Sequence, residues 1–409
     1  MALFKVVYRK FMLNSNSVPE AISKRLLKRR LFYVCRDIER AIGLNLSQPN
    51  YYIISNYSEF SAKLAQQHSN IILIKEKEQL DTGELLAHSQ TKNIIKKDDF
   101  VLVFKNNALI EAQCKKNNWK LLNPDPKLAD KVESKISQVK WLGSLAKYLP
   151  PHKIDVCGNI QWTSKPFILQ FNHSHTGSGT FFIDSEKKLN DLKSKFAKRD
   201  VRITDFVRGP VFTNNNAVWG NKILTGNISY QITGLPPFTD NKFATIGNDW
   251  ALPHKILSKK QILEYKRIAT EIGKKLKKDG WKGLYGVDII VDEKSKQVYL
   301  LEINARQPAS TTCESLLQKL NKKLDISTFE AHLAGLLGVK PGKYKLAEIF
   351  DGAQIVQRVI EKSDNTQAAK IKSTDLINVV KYSNTAPGSD LIRWQFSKGL
   401  MKEHNVLKV

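Results

Sequence analysis

Residues Gly283–Gln307 read GLYGVDIIVDEKSKQVYLLEINARQ, two apolar segments joined by a polar turn. The pattern predicts a β-hairpin. If the hairpin is symmetric about Ser295, Asp288 lies directly opposite Glu302. Because side chains alternate along a strand, Asn304 points to the same face as Glu302. Facing carboxylates repel each other, so a hard divalent cation is expected between them. The expected cation is Mg²⁺, with Mn²⁺ as a substitute. The alternative is a solvated hairpin face with incidental acids.

The same hairpin predicts a core face and a cationic neighbour of the acids. Arg306 follows on the face of Glu302 and Asn304, where a guanidinium is suited to hold a phosphate or a developing acyl phosphate. A surface ion pair with Glu302 is the other interpretation. The residues expected to face the core are Val287, Ile289, Leu301 and Ile303.

A glycine-rich segment, Phe167–Ile183, reads as strand, polar loop and strand. A Walker A element is excluded because no Gly-Lys-Ser/Thr follows, and a dinucleotide fingerprint is excluded because no helix begins there. What remains is a hairpin tip whose bare backbone N–H groups could fold over phosphates. His173 and His175 also lie on this loop. They could bind phosphate or ligate a metal, or they could simply be polar loop residues. The phosphate-binding candidates at the tip are Thr176, Gly177, Ser178 and Gly179.

The chain is divided into three parts by its patterning. Residues 1–125 alternate short apolar runs with helical spacing, which predicts a small parallel α/β domain. Residues 126–335 begin with one helical stretch at 127–148 and continue as strands joined by Gly- and Asn-rich turns. A further helix follows a capping box of Ser258 and Gln261. Residues 336–409 are a C-terminal extension. It contains the end of the preceding apolar helix, a strand at 352–360 and a polar tail.

Taken in order, these elements resemble the ATP-grasp superfamily over roughly residues 120–320. The most specific part of the resemblance is Asp288 on one strand with the run Glu302-Ile-Asn-Ala-Arg306 on the next. The resemblance implies that Asp288, Glu302 and Asn304 hold magnesium and that Arg306 is catalytic. It also implies a mixed α/β and α+β architecture, with a Rossmann-like N-terminal α/β domain before the ATP-grasp fold and a small C-terminal extension.

The resemblance further implies the residues that bind ATP. The lysine that reaches the phosphates matches Lys131 in Leu128-Ala-Asp-Lys131, and the loop Phe167–Ile183 matches the glycine-rich element. The strand whose backbone meets the adenine matches Thr204-Asp-Phe-Val-Arg-Gly209, so Thr204, Phe206 and Val207 are expected there.

Three positions depart from the family's pattern. A second phosphate-binding lysine is usual where this chain has Gln170, which can donate a hydrogen bond but carries no charge. An acid that binds ribose is common where this chain has Val211. The glutamate base of the biotin carboxylase branch is replaced by Ser310, so bicarbonate activation in that style is not supported.

The function implied is carboxylate–amine ligation: ATP phosphorylates a carboxylate, and an amine displaces phosphate, which divides one hard condensation into two easier steps. Small-molecule carboxylates and amines are then the partners. The polar segment Asn227–Trp250 is either a lining of the acceptor pocket, with Gln231, Thr233, Asn248 and Trp250 as candidates, or a long connection. A degenerate ATP-binding protein without turnover is the main alternative.

Composition excludes some classes of protein. The 409 residues are 42% hydrophobic and contain no apolar run long enough to span a membrane. Four scattered cysteines indicate neither zinc nor disulfides, which favours a cytoplasmic location. The net charge of +26 is dispersed along the chain. It attracts anions such as ATP, and a basic nucleic-acid-binding protein is a weaker alternative. Homo-oligomerisation is compatible with the sequence.

Overall fold

A computed structural model describes residues 17–172, 179–321, 325–360 and 374–408 of the chain. A parallel sheet forms the first part of the chain. The strands pair in the order β3-β2-β1-β4-β5. They are β1 (Leu31–Val34), β2 (Tyr51–Asn56), β3 (Ile71–Ile74), β4 (Phe100–Val103) and β5 (Lys120–Leu121). The helices of this part are α1 (Val18–Leu26), α2 (Glu59–Ala65), α3 (Thr82–Ala87), α4 (Ser89–Ile94) and α5 (Ala108–Lys116).

In sheets with this strand order, a ligand crevice is expected outside the carboxyl ends of β1 and β4, at the topological switch point. The chain leaves β1 toward β2 and β3 on one side and returns to β4 and β5 on the other. Between β1 and β4 the connections therefore diverge at the carboxyl ends of the strands, which is where open α/β sheets bind ligands. Arg36 and Lys105, each two residues beyond the end of its strand, lie at this end of the sheet.

Two helices with a break between them replace the single helical stretch expected at 127–148. They are α6 (Pro126–Glu133) and α7 (Lys135–Leu142), followed by a 3₁₀ turn at Gly143–Tyr148. Ser134 between them has an extended backbone. Asn172 caps the second helix: its side-chain Oδ1 accepts from Ile136 N at 2.9 Å, and its carbonyl accepts from Lys135 N at 3.2 Å. The break turns Lys135 toward the interior of the protein.

An antiparallel sheet in the order β6-β9-β7-β8 follows, with α8 (Glu186–Phe196) packed on it. The two strands predicted around the glycine-rich loop are confirmed. The strands are β6 (His152–Val156), β7 (Phe167–Phe171), β8 (Thr180–Ile183) and β9 (Asp200–Asp205).

A larger, mainly antiparallel sheet carries the remaining core. Its order is β15-β14-β10-β12-β13-β16-β18-β17, with β11 paired to β10. Its strands are β10 (Val211–Trp219), β11 (Lys222–Leu224), β12 (Ile228–Thr233), β13 (Thr245–Asp249), β14 (Gly283–Val291), β15 (Val298–Asn304), β16 (Ala353–Arg358), β17 (Leu376–Lys381) and β18 (Asp390–Phe396). The short pair β19 (Met401–Glu403) and β20 (Val406–Leu407) ends the described chain.

Helices cover both faces of this sheet. The helices are α9 (Pro253–Ile256), α10 (Lys259–Lys278), α11 (Thr311–Leu320) and α12 (Thr328–Leu336). The capping box predicted at the start of α10 is present, with Ser258 and Gln261 bonded reciprocally. The buried face of α10 packs on Phe212, Val287 and Ile289. None of the helices in the described ranges is both long and apolar enough to cross a membrane.

Two expectations about the later part of the chain are corrected. A bulge after Asp288 pairs Ile289 with Leu300, so Leu300 is buried in the core and Leu301 is not, in contrast to the prediction from simple alternation. The region after Arg358 is more than a polar tail, because β18 inserts between β16 and β17 in the sheet. Buried Arg393 and Gln395 in β18 hide its strand pattern in the sequence.

A buried carboxyl group joins the large sheet to α11. Glu314 accepts from Asn215 Nδ2 at 2.5 Å, and Asn227 donates to it from both its backbone N (3.3 Å) and its side chain (3.2 Å). Burial raises the pKa of Glu314 from 4.5 to about 7, although these hydrogen bonds oppose the shift. Glu314 therefore holds a proton more tightly in the folded chain than in the unfolded one.

The resulting pH dependence can be measured. Because the pKa is raised on folding, the contribution of Glu314 is fully present below about pH 4.5 and is lost as the pH rises to about 7. The loss amounts to about 3 kcal/mol. Urea unfolding of Glu314→Gln, which resembles the protonated acid, should match wild type at pH 5 and exceed it at pH 8. The exposed control Glu59→Gln should change neither value; equal effects of both variants would contradict the assignment.

Candidate active site

Two carboxyl groups face each other across β14 and β15. Asp288 and Glu302 are direct register partners, as the hairpin symmetry predicted. Asn304 Nδ2 donates to Asp288 Oδ2 at 3.2 Å, which brings the third oxygen-bearing side chain to the same place. Asp288 Oδ1 is buried and has no hydrogen-bond partner among the described residues. An anionic oxygen in that position requires a positive partner.

The two carboxyl groups differ in their electrostatic surroundings. Burial and the facing Glu302 raise the pKa of Asp288 to about 6. Burial opposes ionisation of Glu302 as well, but Lys135 and Arg306 outweigh it and hold the pKa of Glu302 below its usual range. Lys135 Nζ lies 3.1 Å from Glu302 Oε2, and the lysine side chain is only 10% exposed. Hydrogen bonds from Thr213 and Gln231 and the charge of Lys135 oppose the rise at Asp288 without cancelling it, so Glu302 is the better compensated acid of the pair.

These residues fit a magnesium ion. The buried, unpartnered Asp288 Oδ1 and the facing Glu302 supply hard oxygen ligands. Within the described residues, no group of three or more His, Cys, Asp or Glu side chains could hold a metal on its own. An ion held by so few protein ligands completes its shell with phosphate and water oxygens, which is the usual habit of Mg²⁺.

Arg306 lies just beyond the end of β15 and is held by Glu133 rather than by Glu302. Its Nη1 atom is 2.5 Å from Glu133 Oε1, and Lys105 Nζ is 2.9 Å from the other oxygen of Glu133. Lys105 follows β4 of the parallel sheet, so this chain of ion pairs links the crevice to the acidic pair. The Arg306 side chain remains 26% exposed, which leaves its guanidinium accessible to a ligand.

The lysine in contact with Glu302 is Lys135, which was not among the residues predicted from the sequence. Lys131, the predicted phosphate-binding lysine, is exposed on the last turn of α6. The missed signal is Ser134 directly before Lys135, since serine is a preferred residue at a helix start. Treating 127–148 as one helix concealed it.

The glycine-rich hairpin is partly described. Gln170 pairs with Thr180, and Phe171 N donates to Gly179 O at 3.0 Å, so Gly179 closes the base of the loop. Residues 173–178, including the predicted Thr176, Gly177 and Ser178 and the two histidines, lie outside the described residues.

Gln170 is bonded to a buried arginine on the neighbouring strand. Arg202 in β9 is its register partner and donates to Gln170 Oε1 from Nε at 3.0 Å and from Nη2 at 2.7 Å. Arg202 Nη1 donates to Gln138 Oε1 at 3.2 Å. Burial lowers the pKa of Arg202 to about 10, while the charge of Glu302 opposes that shift. A cation therefore lies beside the position from which the expected lysine is missing.

The segment expected at the adenine connects the two antiparallel sheets. Thr204 is buried in β9 between β6 and β7. Phe206 and Val207 follow the end of β9 and precede β10, so they lie outside both ladders. The Phe206 ring lies 4.5 Å from that of Phe182 in β8, measured between centroids. Their backbone groups are thus positioned between the sheets, where a base could be bound.

A row of hydrogen-bonded polar side chains runs across the large sheet from β12 through β13 and β16 to β18, in the direction away from the acidic pair. Asn248 Nδ2 donates to Ser229 Oγ at 3.1 Å, Gln354 Nε2 donates to Asn248 Oδ1 at 2.9 Å, and Arg393 Nη1 donates to Gln354 Oε1 at 3.1 Å. Trp250, a sequence candidate for the acceptor pocket, is instead buried in an apolar cluster.

No family model matches the sequence, and no curated protein matches it. Solved structures do match. They include carboxyaminoimidazole ribonucleotide synthase from Aspergillus clavatus complexed with ATP, with a TM-score of 0.63 at 14% identity over 90% of this chain and 93% of that one. Phosphoribosylamine–glycine ligase from Thermotoga maritima has a TM-score of 0.59 at 14% identity, covering 90% and 92%. L-amino acid ligase from Bacillus licheniformis has a TM-score of 0.58 at 12% identity, covering 91% and 93%.

These similarities cover the three parts of the chain together, and their low identity is evidence of fold alone. The parallel sheet, the two antiparallel sheets and the C-terminal strands occur in the order that the sequence resemblance implied. The chain has the ATP-grasp fold, preceded by a Rossmann-like α/β domain and followed by a small C-terminal extension.

Proposed function

We propose that this protein is an ATP-dependent ligase that activates a carboxylate as an acyl phosphate and joins it to an amine, with release of ADP and phosphate. The observation that carries the proposal is the facing pair Asp288 and Glu302 with its unpartnered buried oxygen. In an ATP-grasp fold, such a pair beside Lys135 and Arg306 is suited to bind a magnesium–nucleotide complex.

The metal would be held by Asp288, Glu302 and Asn304. When bound, Mg²⁺ would neutralise charge on the phosphate groups. Arg306 would donate to the transferring phosphoryl group, since a guanidinium matches phosphate geometry and its charge offsets the negative charge that develops. Glu133 is a positioning residue for Arg306, because its carboxylate is in direct contact with the guanidinium.

The nucleotide would be bound between the two antiparallel sheets. Phe206 and Val207 would present backbone groups to the adenine, with Thr204 at the end of the same strand. Backbone N–H groups of the glycine-rich loop, at Thr176, Gly177, Ser178 and Gly179, would contact the phosphates. Gln170 and Lys131 remain phosphate-binding candidates through the resemblance, and Lys135 joins them through its contact with Glu302.

The carboxylate substrate would enter the crevice between β1 and β4. Arg36 Nε there is a buried donor without an acceptor among the described residues. The ion pairs from Lys105 through Glu133 to Arg306 connect this crevice to the acidic pair. An amine would then displace phosphate from the acyl phosphate. The neighbouring structures named as a glycine ligase and an L-amino acid ligase support this reaction class.

The first test is substrate-dependent ATP turnover. Purified protein is incubated with Mg-ATP, pools of amino acids and other small carboxylates, and ammonia or amines, and ADP and phosphate are measured. A productive pool should release both products. Glu302→Gln should reduce the rate about 10²-fold or more, because it removes charge that holds the metal beside the transferring phosphate.

The outcomes of this experiment separate the two candidate functions. Pool-dependent release that Glu302→Gln abolishes supports a ligase. Binding of Mg-ATP without release in any pool supports an ATP-binding protein without turnover, for which the uncharged Gln170 is the favouring observation. Absence of any Mg-ATP effect on thermal stability would contradict both.

A second test compares two lysines on either side of the break between α6 and α7. Lys135→Ala removes the cation in contact with Glu302 and should lower the ATP-dependent rate about 10- to 100-fold. Lys131→Ala, at the exposed end of α6, tests the lysine implied by the resemblance and should stay within about twofold if Lys135 has taken that role. The reverse order of effects, measured in the same product-release assay, would favour Lys131 as the phosphate-binding lysine.

A further inference from the structure

The ATP-grasp resemblance leaves one charge unaccounted for. A lysine is expected at the position of Gln170, and a neutral amide cannot supply its charge to a polyphosphate. The direct register partner of Gln170 is Arg202 on β9. The two side chains are joined by two hydrogen bonds to a single amide oxygen.

Arg202 is a buried cation without a direct counter-ion. The residue is only 2% exposed. Its hydrogen-bond acceptors are the neutral amide oxygens of Gln170 and Gln138, and no carboxylate among the described residues lies within ion-pair distance of it. Burying a guanidinium whose direct partners are neutral is costly, and the charge of Glu302 offsets this cost only in part, so a bound anion would stabilise the arrangement further. Residues 173–178 contain no acidic residue that could do so.

The guanidinium retains donors for such an anion. An arginine has five N–H groups, and the hydrogen bonds to Gln170 and Gln138 use three of them. Gln138 lies three residues after Lys135 on α7, so both side chains are on one face of that helix. Lys135 contacts Glu302 and Gln138 contacts Arg202, so the arginine is adjacent to the acidic pair.

We propose that Arg202 is the phosphate-binding cation of this site, in place of the lysine that is absent at Gln170. The proposal rests on the ATP-dependent function given above. Gln170 is then a positioning residue: its amide oxygen accepts from Nε and Nη2 and fixes the plane of the guanidinium. The ligand group is a phosphate oxygen of the nucleotide, which accepts the remaining N–H donors in charge-assisted hydrogen bonds.

The test is equilibrium binding of Mg-ATP, Mg-ADP and adenosine by calorimetry. Arg202→Gln should weaken Mg-ATP binding about 10- to 100-fold, the effect of losing hydrogen bonds from a charged group. Adenosine has no phosphate, so its affinity should not change. The double variant Gln170→Lys/Arg202→Gln returns the cation to β7 and should recover most of the Mg-ATP affinity.

Two control variants separate the specific effect from general ones. Arg199→Gln removes the same charge three residues earlier, where the side chain is exposed, and should bind Mg-ATP as wild type does. Arg202→Met provides an apolar replacement for the buried side chain if Arg202→Gln does not fold, since apolar residues can replace buried charges without loss of stability.

Each result decides between the inference and the function on which it rests. Unchanged Mg-ATP affinity in Arg202→Gln, with affinity lost in Glu302→Gln, overturns the role of Arg202 and leaves the proposed function in place. Equal loss for Mg-ATP and adenosine indicates a purely structural arginine and also overturns the inference. Failure of the wild-type protein to bind Mg-ATP overturns the proposed function, and the inference with it.

Discussion

The repulsion between Asp288 and Glu302 is the constraint on which the rest of the site depends. Their strands are hydrogen-bonded neighbours, so the backbone holds the two acidic residues in direct register. Lys135 and Arg306 offset the charge of Glu302, whereas Asp288 retains a buried oxygen that no described residue contacts by a hydrogen bond. The protein thus holds a charge arrangement that is incomplete by itself, and the proposed magnesium–nucleotide complex would complete it.

Each part of the chain contributes to that arrangement through one contact. The parallel sheet supplies Lys105, which reaches Glu133 and through it Arg306. The four-stranded sheet supplies Asn172, whose side chain and carbonyl cap α7 and so position Lys135. Because these contacts join separate elements, a shift of one sheet relative to another would change the electrostatics of the acids directly. The site is therefore a property of the whole assembly of sheets.

The sequence predicted the parts that depend on local periodicity. The hairpin register of Asp288 and Glu302, the strands around the glycine-rich loop and the capping box of Ser258 are all short-range patterns, and they are confirmed. Lys135 and Arg202 were missed because their roles arise from contacts with distant residues, Glu302 and Gln170. The bulge after Asp288 was also hidden, since one extra residue in a strand leaves no distinct pattern.

The order of β16, β18 and β17 in the large sheet has a consequence for the integrity of the chain. Among the described strands β17 pairs with β18, which comes later in the sequence than β17. During synthesis β17 therefore emerges before this partner strand. A chain shortened before Asp390 would lose both outer strands at once and expose the edge of β16, with its unpaired backbone groups, to association with other molecules.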